Sequence, residues 1–335
     1  MKKKLLMLAL IILVFIAMLV PPVFMFESIV KRPLIGEAET ISINANKGTF
    51  SGILAENGDV FRGTLFIKLY NRINKVSISV KKGKYEFPSN ITLEELIKSL
   101  EEGKYNTSIV KVTIPEGYTI EKIADTLEKN EVITKEEFLK GCLEYDLPSY
   151  ITKNNKRRYD LEGYLFPDTY ILEKGMSAEK IISIMLNRFE EILNQIQKDN
   201  DLVLKDDDIE RMVIKASIIE REVSKLDEKA LVSSVIDNRL AINMKLQIDA
   251  TVLYSLGKHK DKLLYKDLEY PSLYNTYYIE GLPVGAISNP GKDSLVAAVL
   301  PEETDYIYYM TKDGTNHKFF KTYKEFLKYK NGKGL

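Results

Sequence analysis

The chain has 335 residues, 45% of them hydrophobic, and its 48 lysines and arginines balance 48 aspartates and glutamates. This apolar content excludes a disordered polymer, and zero formal charge argues against a nucleic-acid partner held by a net positive field. One cysteine, Cys142, excludes an intramolecular disulfide. With only two histidines, His259 and His317, a Cys/His zinc site lacks ligands, so no metal is expected.

Lys2, Lys3 and Lys4 precede an uncharged run over 5–26. At ~1.5 Å per residue that run spans ~33 Å, close to the ~30 Å hydrocarbon core. It predicts a single-pass transmembrane helix, with 1–4 in the cytoplasm and the rest of the chain extracytoplasmic. A cleaved signal peptide is the rival, but Pro21-Pro22-Val23-Phe24-Met25-Phe26-Glu27 offers no small-x-small cleavage site. Residues 27–40 read as a linker.

Over 41–150 a strand–turn–helix plan recurs about every 33 residues, which predicts a small α+β module. The first unit opens at Ile41-Ser42-Ile43 and is poorly defined up to Asn74. The second has an alternating strand over 76–80, a turn marked by Gly83 and Pro88, and a helix opened by Thr92-Leu93-Glu94-Glu95 with capping-box spacing. Leu93, Leu96, Ile97 and Leu100 form its apolar face, and Gly103 stops it. In the third, Val110, Val112 and Ile114 alternate, Pro115-Glu116-Gly117 turns, and Ile120, Ile123, Ala124 and Leu127 make the helical stripe.

A second domain, 151–335, begins with an aromatic, turn-rich stretch around 160–170. Helices are predicted over 177–194, 206–224 and 228–240, then turn-rich segments, a hairpin from Ile307-Tyr308-Tyr309-Met310 through Asp313-Gly314 to Phe319-Phe320, and a last helix over 322–330. The helix over 206–224 carries Asp206, Asp207 and Asp208 at its positive end. Its stripe is Ile209, Met212, Val213, Ala216, Ile219 and Val223. At ~100° per residue Glu220 falls about 20° from Ile209, inside the stripe, while Glu222 is left near the rim. An inward carboxylate needs a partner, a cleft or a raised pKa. Two readings stay open: a structural pair, for instance with Arg239 on the next helix, or an acid that protonates a glycosidic oxygen. A second carboxylate could be Asp249, Glu269 or Glu280. Gln247, Asp249, Thr251, Tyr254, Tyr274, Asn275, Tyr277 and Tyr278 suit a sugar groove, although a chain with 20 tyrosines has many for ordinary packing.

Several motifs occur in order. They are Glu162-Gly163-Tyr164-Leu165-Phe166-Pro167-Asp168-Thr169-Tyr170, Ala216-Ser217-Ile218-Ile219-Glu220-Arg221-Glu222, Asn238-Arg239-Leu240, Gln247-Ile248-Asp249-Ala250-Thr251, Tyr274-Asn275-Thr276-Tyr277, Gly281-Leu282-Pro283 and Ile287-Ser288-Asn289-Pro290-Gly291 with Ser294. Together they resemble the MltG (YceG-like) family of endolytic murein transglycosylases, over about 41–329. The resemblance implies a LysM-like α/β module followed by a mixed α+β catalytic domain. It also implies Glu220 as catalytic residue, with Glu222, Arg239, Gln247, Asp249, Thr251, Tyr254, Asn275, Tyr277 and Asn289 binding substrate or supporting the site. The implied reaction cuts the bond between N-acetylmuramic acid and N-acetylglucosamine inside nascent peptidoglycan strands and leaves a 1,6-anhydro end. Implied partners are glycan strands, the cell membrane and peptidoglycan synthases, with no cofactor. Departures from the family's pattern are Ile248 and Ala250, Val284 for a proline, and Phe326 for a polar residue in the last helix. The competing reading is a non-catalytic, membrane-anchored scaffold that binds peptidoglycan. A pyridoxal-phosphate lyase, a label this family has carried, fits an exported chain poorly.

Overall fold

The computed structural model describes residues 40–58, 64–88, 91–257, 260, 262–312 and 316–332. The predicted membrane helix over 5–26 and His259 lie outside the described residues. The chain divides into two compact units, one ending at Val110 and the other starting at Lys111. Both mix helices with two-stranded sheets, so the α+β class holds.

In the first unit β1 (Thr40–Ala45) pairs antiparallel with β2 (Gly83–Pro88), Ile41 opposite Phe87 and Ile43 opposite Tyr85. One face of this ribbon is apolar because side chains alternate along a strand. Ile41, Ile43, Ala45, Tyr85 and Phe87 are buried with Phe50, Ile53 and Leu54 of α1 (Phe50–Glu56). α2 (Thr64–Asn74) follows α1, and α3 (Leu93–Glu102) adds Leu93, Leu96 and Leu100 to the core. Its capping box forms as expected: Glu95 N–H donates to Thr92 Oγ1 at 3.3 Å, Thr92 N–H to Glu95 Oε2 at 2.9 Å, and Gly103 ends the helix at φ +72°. The second strand is a correction. It lies at Gly83–Pro88, where a turn is predicted, and residues 76–80 make only the bridge between Ser79 and Thr49. Alternation at Val76, Ile78 and Val80 sets which side chains face inward, but the ladder goes to the segment whose Tyr85 and Phe87 can stack beside β1.

The division between units falls inside β3 (Ile109–Thr113), which pairs with β4 (Thr169–Glu173). Two helices with threonine caps follow β3: α4 (Ile120–Lys129) and α5 (Lys135–Glu144). The sequence reading assigns no helix to α5. After β4 come α6 (Ala178–Asp199), α7 (Asp206–Glu222) and α8 (Leu226–Ala241), close to expectation. Three short helices then occupy the stretch read as turn-rich: α9 (Asp249–Leu256), α10 (Tyr265–Leu268) and α11 (Lys292–Val299). α7 is the centre of the unit, packed by α8, α9 and α11. The expected hairpin forms from β5 (Tyr308–Thr311) and β6 (His317–Phe320), Tyr309 opposite Phe319, and α12 (Tyr323–Gly332) packs on it. Phe326 lies 5.6 Å from the Tyr308 ring and 6.1 Å from Tyr323, so this side chain is part of an aromatic cluster.

Candidate active site

The apolar stripe expected on α7 is buried, and so are Ile214, Lys215, Ser217 and Ile218. The buried surface is wider than one stripe because three helices surround α7. Glu220 stands where that burial ends, with its side chain 9% exposed. Its Oε2 accepts three hydrogen bonds: from Lys229 Nζ at 3.2 Å, the Gly291 N–H at 3.1 Å and the Ser294 hydroxyl at 2.6 Å. Among the described residues Oε1 accepts none.

Each partner has a local cause. Lys229 sits on the first turn of α8, which starts just after α7 ends, and its side chain is 6% exposed. This corrects the expected pairing with Arg239, which lies ten residues further on, ~15 Å along the helix. The Arg239 guanidinium donates instead to the Ile307 carbonyl at 2.7 Å and the Leu246 carbonyl at 2.5 Å. A signal for Lys229 exists in the sequence: it shares the helical face of Val232 and Ile236. Gly291 and Ser294 belong to the start of α11, whose positive end faces the acid. The segment before α11 is strapped along α7. The Ile287 N–H donates to Ser217 Oγ and the Ser288 hydroxyl to the Ser217 carbonyl, both at 3.1 Å. One helical turn later the strap brings Gly291 to Glu220.

A second acid enters from the turn after β3. The Gly117 N–H donates to the Asn289 carbonyl and the Asn289 N–H to the Tyr118 carbonyl, both at 2.8 Å. A Cβ on Gly117, at φ +74°, would lie 3.6 Å from Glu220 Cγ. The neighbouring Glu116 carboxyl fills the space that a Cβ on Gly291 would need. Partial desolvation of a carboxyl that is otherwise at the exposed edge raises the Glu116 pKa, and the Glu220 charge raises it further, against the pull of Lys229. Nothing local in the sequence marks Glu116 as more than a turn residue. By contrast Asp249, Glu269 and Glu280 are exposed, and no hydrogen bond or ion pair joins them to Glu220.

Asn289 holds this arrangement together. Its Oδ1 accepts the Gly163 and Leu165 N–H groups at 3.0 and 2.9 Å, and its Nδ2 donates to the Tyr118 carbonyl and Glu162 Oε1, each at 2.9 Å. Glu162 also accepts the Ile120 N–H at 3.0 Å and the Tyr254 hydroxyl at 2.9 Å. Burial pushes the Glu162 pKa up to about 8. Gly163 has φ +95°, and a Cβ there would fall on Val213 and Ala286. The motif around Glu162 therefore braces the turn that carries Glu116.

Glu222, expected near the rim, is half-buried. The Tyr309 hydroxyl donates to it at 2.7 Å, and burial raises its pKa, with Asp249 adding to the rise. The Asp249 carboxylate accepts the Tyr277 hydroxyl at 2.7 Å. Gln247 is exposed, with φ +51° and its N–H on the Thr276 carbonyl at 3.2 Å. This is a left-handed conformation that a non-glycine residue adopts at some cost. Thr251, Tyr254, Asn275 and Asn289 are buried. Thr251 bonds Thr276 at 2.9 Å, and Asn275 Nδ2 donates to the Leu268 and Tyr270 carbonyls at 2.9 and 2.8 Å. These four side chains hold protein to protein, whereas Gln247, Asp249 and Tyr277 reach outward.

A cleft of about 180 Å³ is lined by Gly117, Lys122, Arg158, Arg221, Tyr254 and Ile287 among others; of these, Gly117 and Arg221 adjoin Glu220. Two larger hollows, about 660 and 690 Å³, lie against residues 301–306 and along β6 and α12, and Glu220 is not among the lining residues of any of the three. Among the described residues no group of three or more His, Cys, Asp or Glu is arranged to hold a metal ion.

A family model described as the YceG-like family matches residues 40–332. The endolytic murein transglycosylase of Bacillus subtilis is 34% identical over 310 residues, 87% of this chain and 84% of that protein. The endolytic murein transglycosylase of Streptococcus pneumoniae is 27% identical over 295 residues, and there the match covers 80% of this chain and 53% of the relative. The crystal structure of a yceG-like protein from Listeria monocytogenes is 33% identical and covers 87% of this chain and 98% of that one, with a TM-score of 0.59.

Proposed function

Because this chain belongs to the YceG-like family, we propose that it is an endolytic murein transglycosylase, cutting between N-acetylmuramic acid and N-acetylglucosamine inside glycan strands. The observation that carries the reading is the one-sided clamp on Glu220. Three donors hold Oε2 and, among the described residues, none reaches Oε1, so Oε1 is the atom that presents a proton to substrate. In the proposed reaction Glu220 protonates the bridging oxygen as the bond to C1 breaks. The resulting carboxylate then takes the proton of the muramic C6 hydroxyl, whose oxygen closes on C1. The 1,6-anhydro end forms with no protein nucleophile, since the attacking group is already tethered to the sugar. Lys229, Ser294 and the Gly291 N–H stabilise the carboxylate between the two proton transfers.

Gln247, Asp249 and Tyr277 are assigned to sugar contacts. Thr251, Tyr254, Asn275 and Asn289 brace the loops, and Glu222 and Arg239 support the groove beside them. The same proposal includes a transmembrane anchor over 5–26, a LysM-like module over 41–150, an extracytoplasmic catalytic domain over 151–335, and peptidoglycan synthases as partners that deliver nascent strands. The test is mass spectrometry of glycan digested by the full chain in detergent. Anhydro-muramyl products from the wild type, and none from Glu220→Gln, are expected. No cleavage by wild-type protein that still binds glycan would leave the scaffold reading in its place.

A further inference from the structure

The clamp poses an electrostatic problem. An acid must hold a proton before it can give one, yet an ammonium, an amide N–H and a hydroxyl all donate to Glu220 Oε2. Lys229 and Glu220 alone form a charge-balanced ion pair.

Glu116 alters that balance. Its carboxyl and that of Glu220 flank the same residue: Glu116 packs against Gly291 on the side where a Cβ would project, and Glu220 accepts the Gly291 N–H. We propose that Glu116 and Glu220 act as one carboxyl pair across Gly291, with Glu116 the positioning residue that keeps a proton in the pair against Lys229. The inference rests on the reading of Glu220 as the acid.

The other charged groups facing the pair are few. Lys229 comes from α8, Arg221 from α7, where it runs past Gly117, and Asp293 from α11. Lys292 is engaged 3.5 Å from Asp199. If both carboxyls ionise, two negative charges meet Lys229, and Asp293 adds repulsion at Glu116. Retaining one proton between the carboxyls relieves this, and the proton belongs to the pair rather than to either member. Glu116 lies at the exposed edge of the site, so its charge can be removed without opening the core.

The experiment uses the full chain in detergent and two readouts. The first is the pH profile of glycan cleavage for wild type, Glu116→Gln and Glu116→Asp. Glu116→Gln should move the alkaline limb to lower pH by about one unit, a roughly tenfold loss at a fixed pH beyond that limb; Glu116→Asp should recover much of it. The second is carboxyl carbon-13 NMR, with the Glu116 signal assigned by its absence from Glu116→Gln. In Glu220→Gln the Glu116 signal should titrate at lower pH than in wild type. That shift supports the pair even where the wild-type chain releases no anhydro product, an outcome that removes the enzymatic reading alone. Unchanged titration of Glu116 in Glu220→Gln, together with a Glu116→Gln profile that superimposes on wild type, overturns the pair and leaves the enzymatic reading intact.

Discussion

Glu220 and Glu222 stand two positions apart on α7 and face about 200° apart around its axis. Glu220 meets the start of α8 and the start of α11, which bring an ammonium, an N–H and a hydroxyl to one oxygen. Glu222 meets β5 and receives one phenol. Burial raises the Glu222 pKa; Glu220 is instead surrounded by donors and by a second carboxyl. The same side chain on the same helix is thus given different chemistry by the elements on each side. Nearness to an apolar stripe says that a carboxylate is turned inward, but not what it is turned toward.

Substitutions can break or sharpen this contrast. The largest effect is expected on catalysis: Glu220→Gln should lower the cleavage rate by about 10²–10⁴-fold, the range for losing a general acid, while Glu222→Gln should cost far less, measured on the same glycan. Lys229→Met should show the largest stability change. It leaves Glu220 without its cation at a site where the two side chains are 6% and 9% exposed, and removing one partner of a buried pair costs about 3–5 kcal/mol, read by denaturant unfolding. On the Glu222 side Tyr309→Phe should cost about 1–3 kcal/mol, the penalty for a buried acceptor losing its donor. Tyr277→Phe, at an exposed bond to Asp249, should cost about 1 kcal/mol or less and act mainly on KM.

Glu162 offers a third glutamate for comparison, through pH. An ordinary carboxyl ionises near 4.5, and burial moves the folded value to about 8. The folded state therefore binds the proton more tightly between these values. The stability tied to the neutral form is complete below about pH 4.5 and is lost as pH rises through about 8. Thermal unfolding followed across that window should show a falling Tm, and Glu162→Gln should flatten the decline. A flat wild-type profile would show that the three donors around Glu162 keep it ionised in the fold.

Local signals were legible in several elements whose own residues decide the outcome, although α5, with its Thr134–Glu137 capping box, was missed. Thr92 with Glu95 announces α3, the acidic start and apolar run announce α7, and the spacing around Asp313-Gly314 announces the hairpin. Residues 76–80 show the limit: their alternation is real in burial, yet the ladder with β1 is made by Gly83–Pro88. The short helices α9 to α11 escaped because α9 and α11 are eight residues each, α10 is four, and each is held more by its neighbours than by its own pattern. Within the site, the motif residues separate in a way that residue type could not foretell. Asn289 and Asn275 carry the same side chain as a sugar-binding asparagine, but theirs are fully buried and saturated by protein partners.

By itself the sequence determined that the chain mixes helices and strands, that α7 buries one face, and that Glu220 lies on it, because periodicity and capping act over a few residues. Only the tertiary structure decided that Lys229, Gly291, Ser294 and Glu116 surround that carboxyl. Charge interactions fall off over a few ångströms and take no account of separation along the chain. A residue about a hundred positions away can therefore stand beside a carboxyl to which no sequence pattern links it.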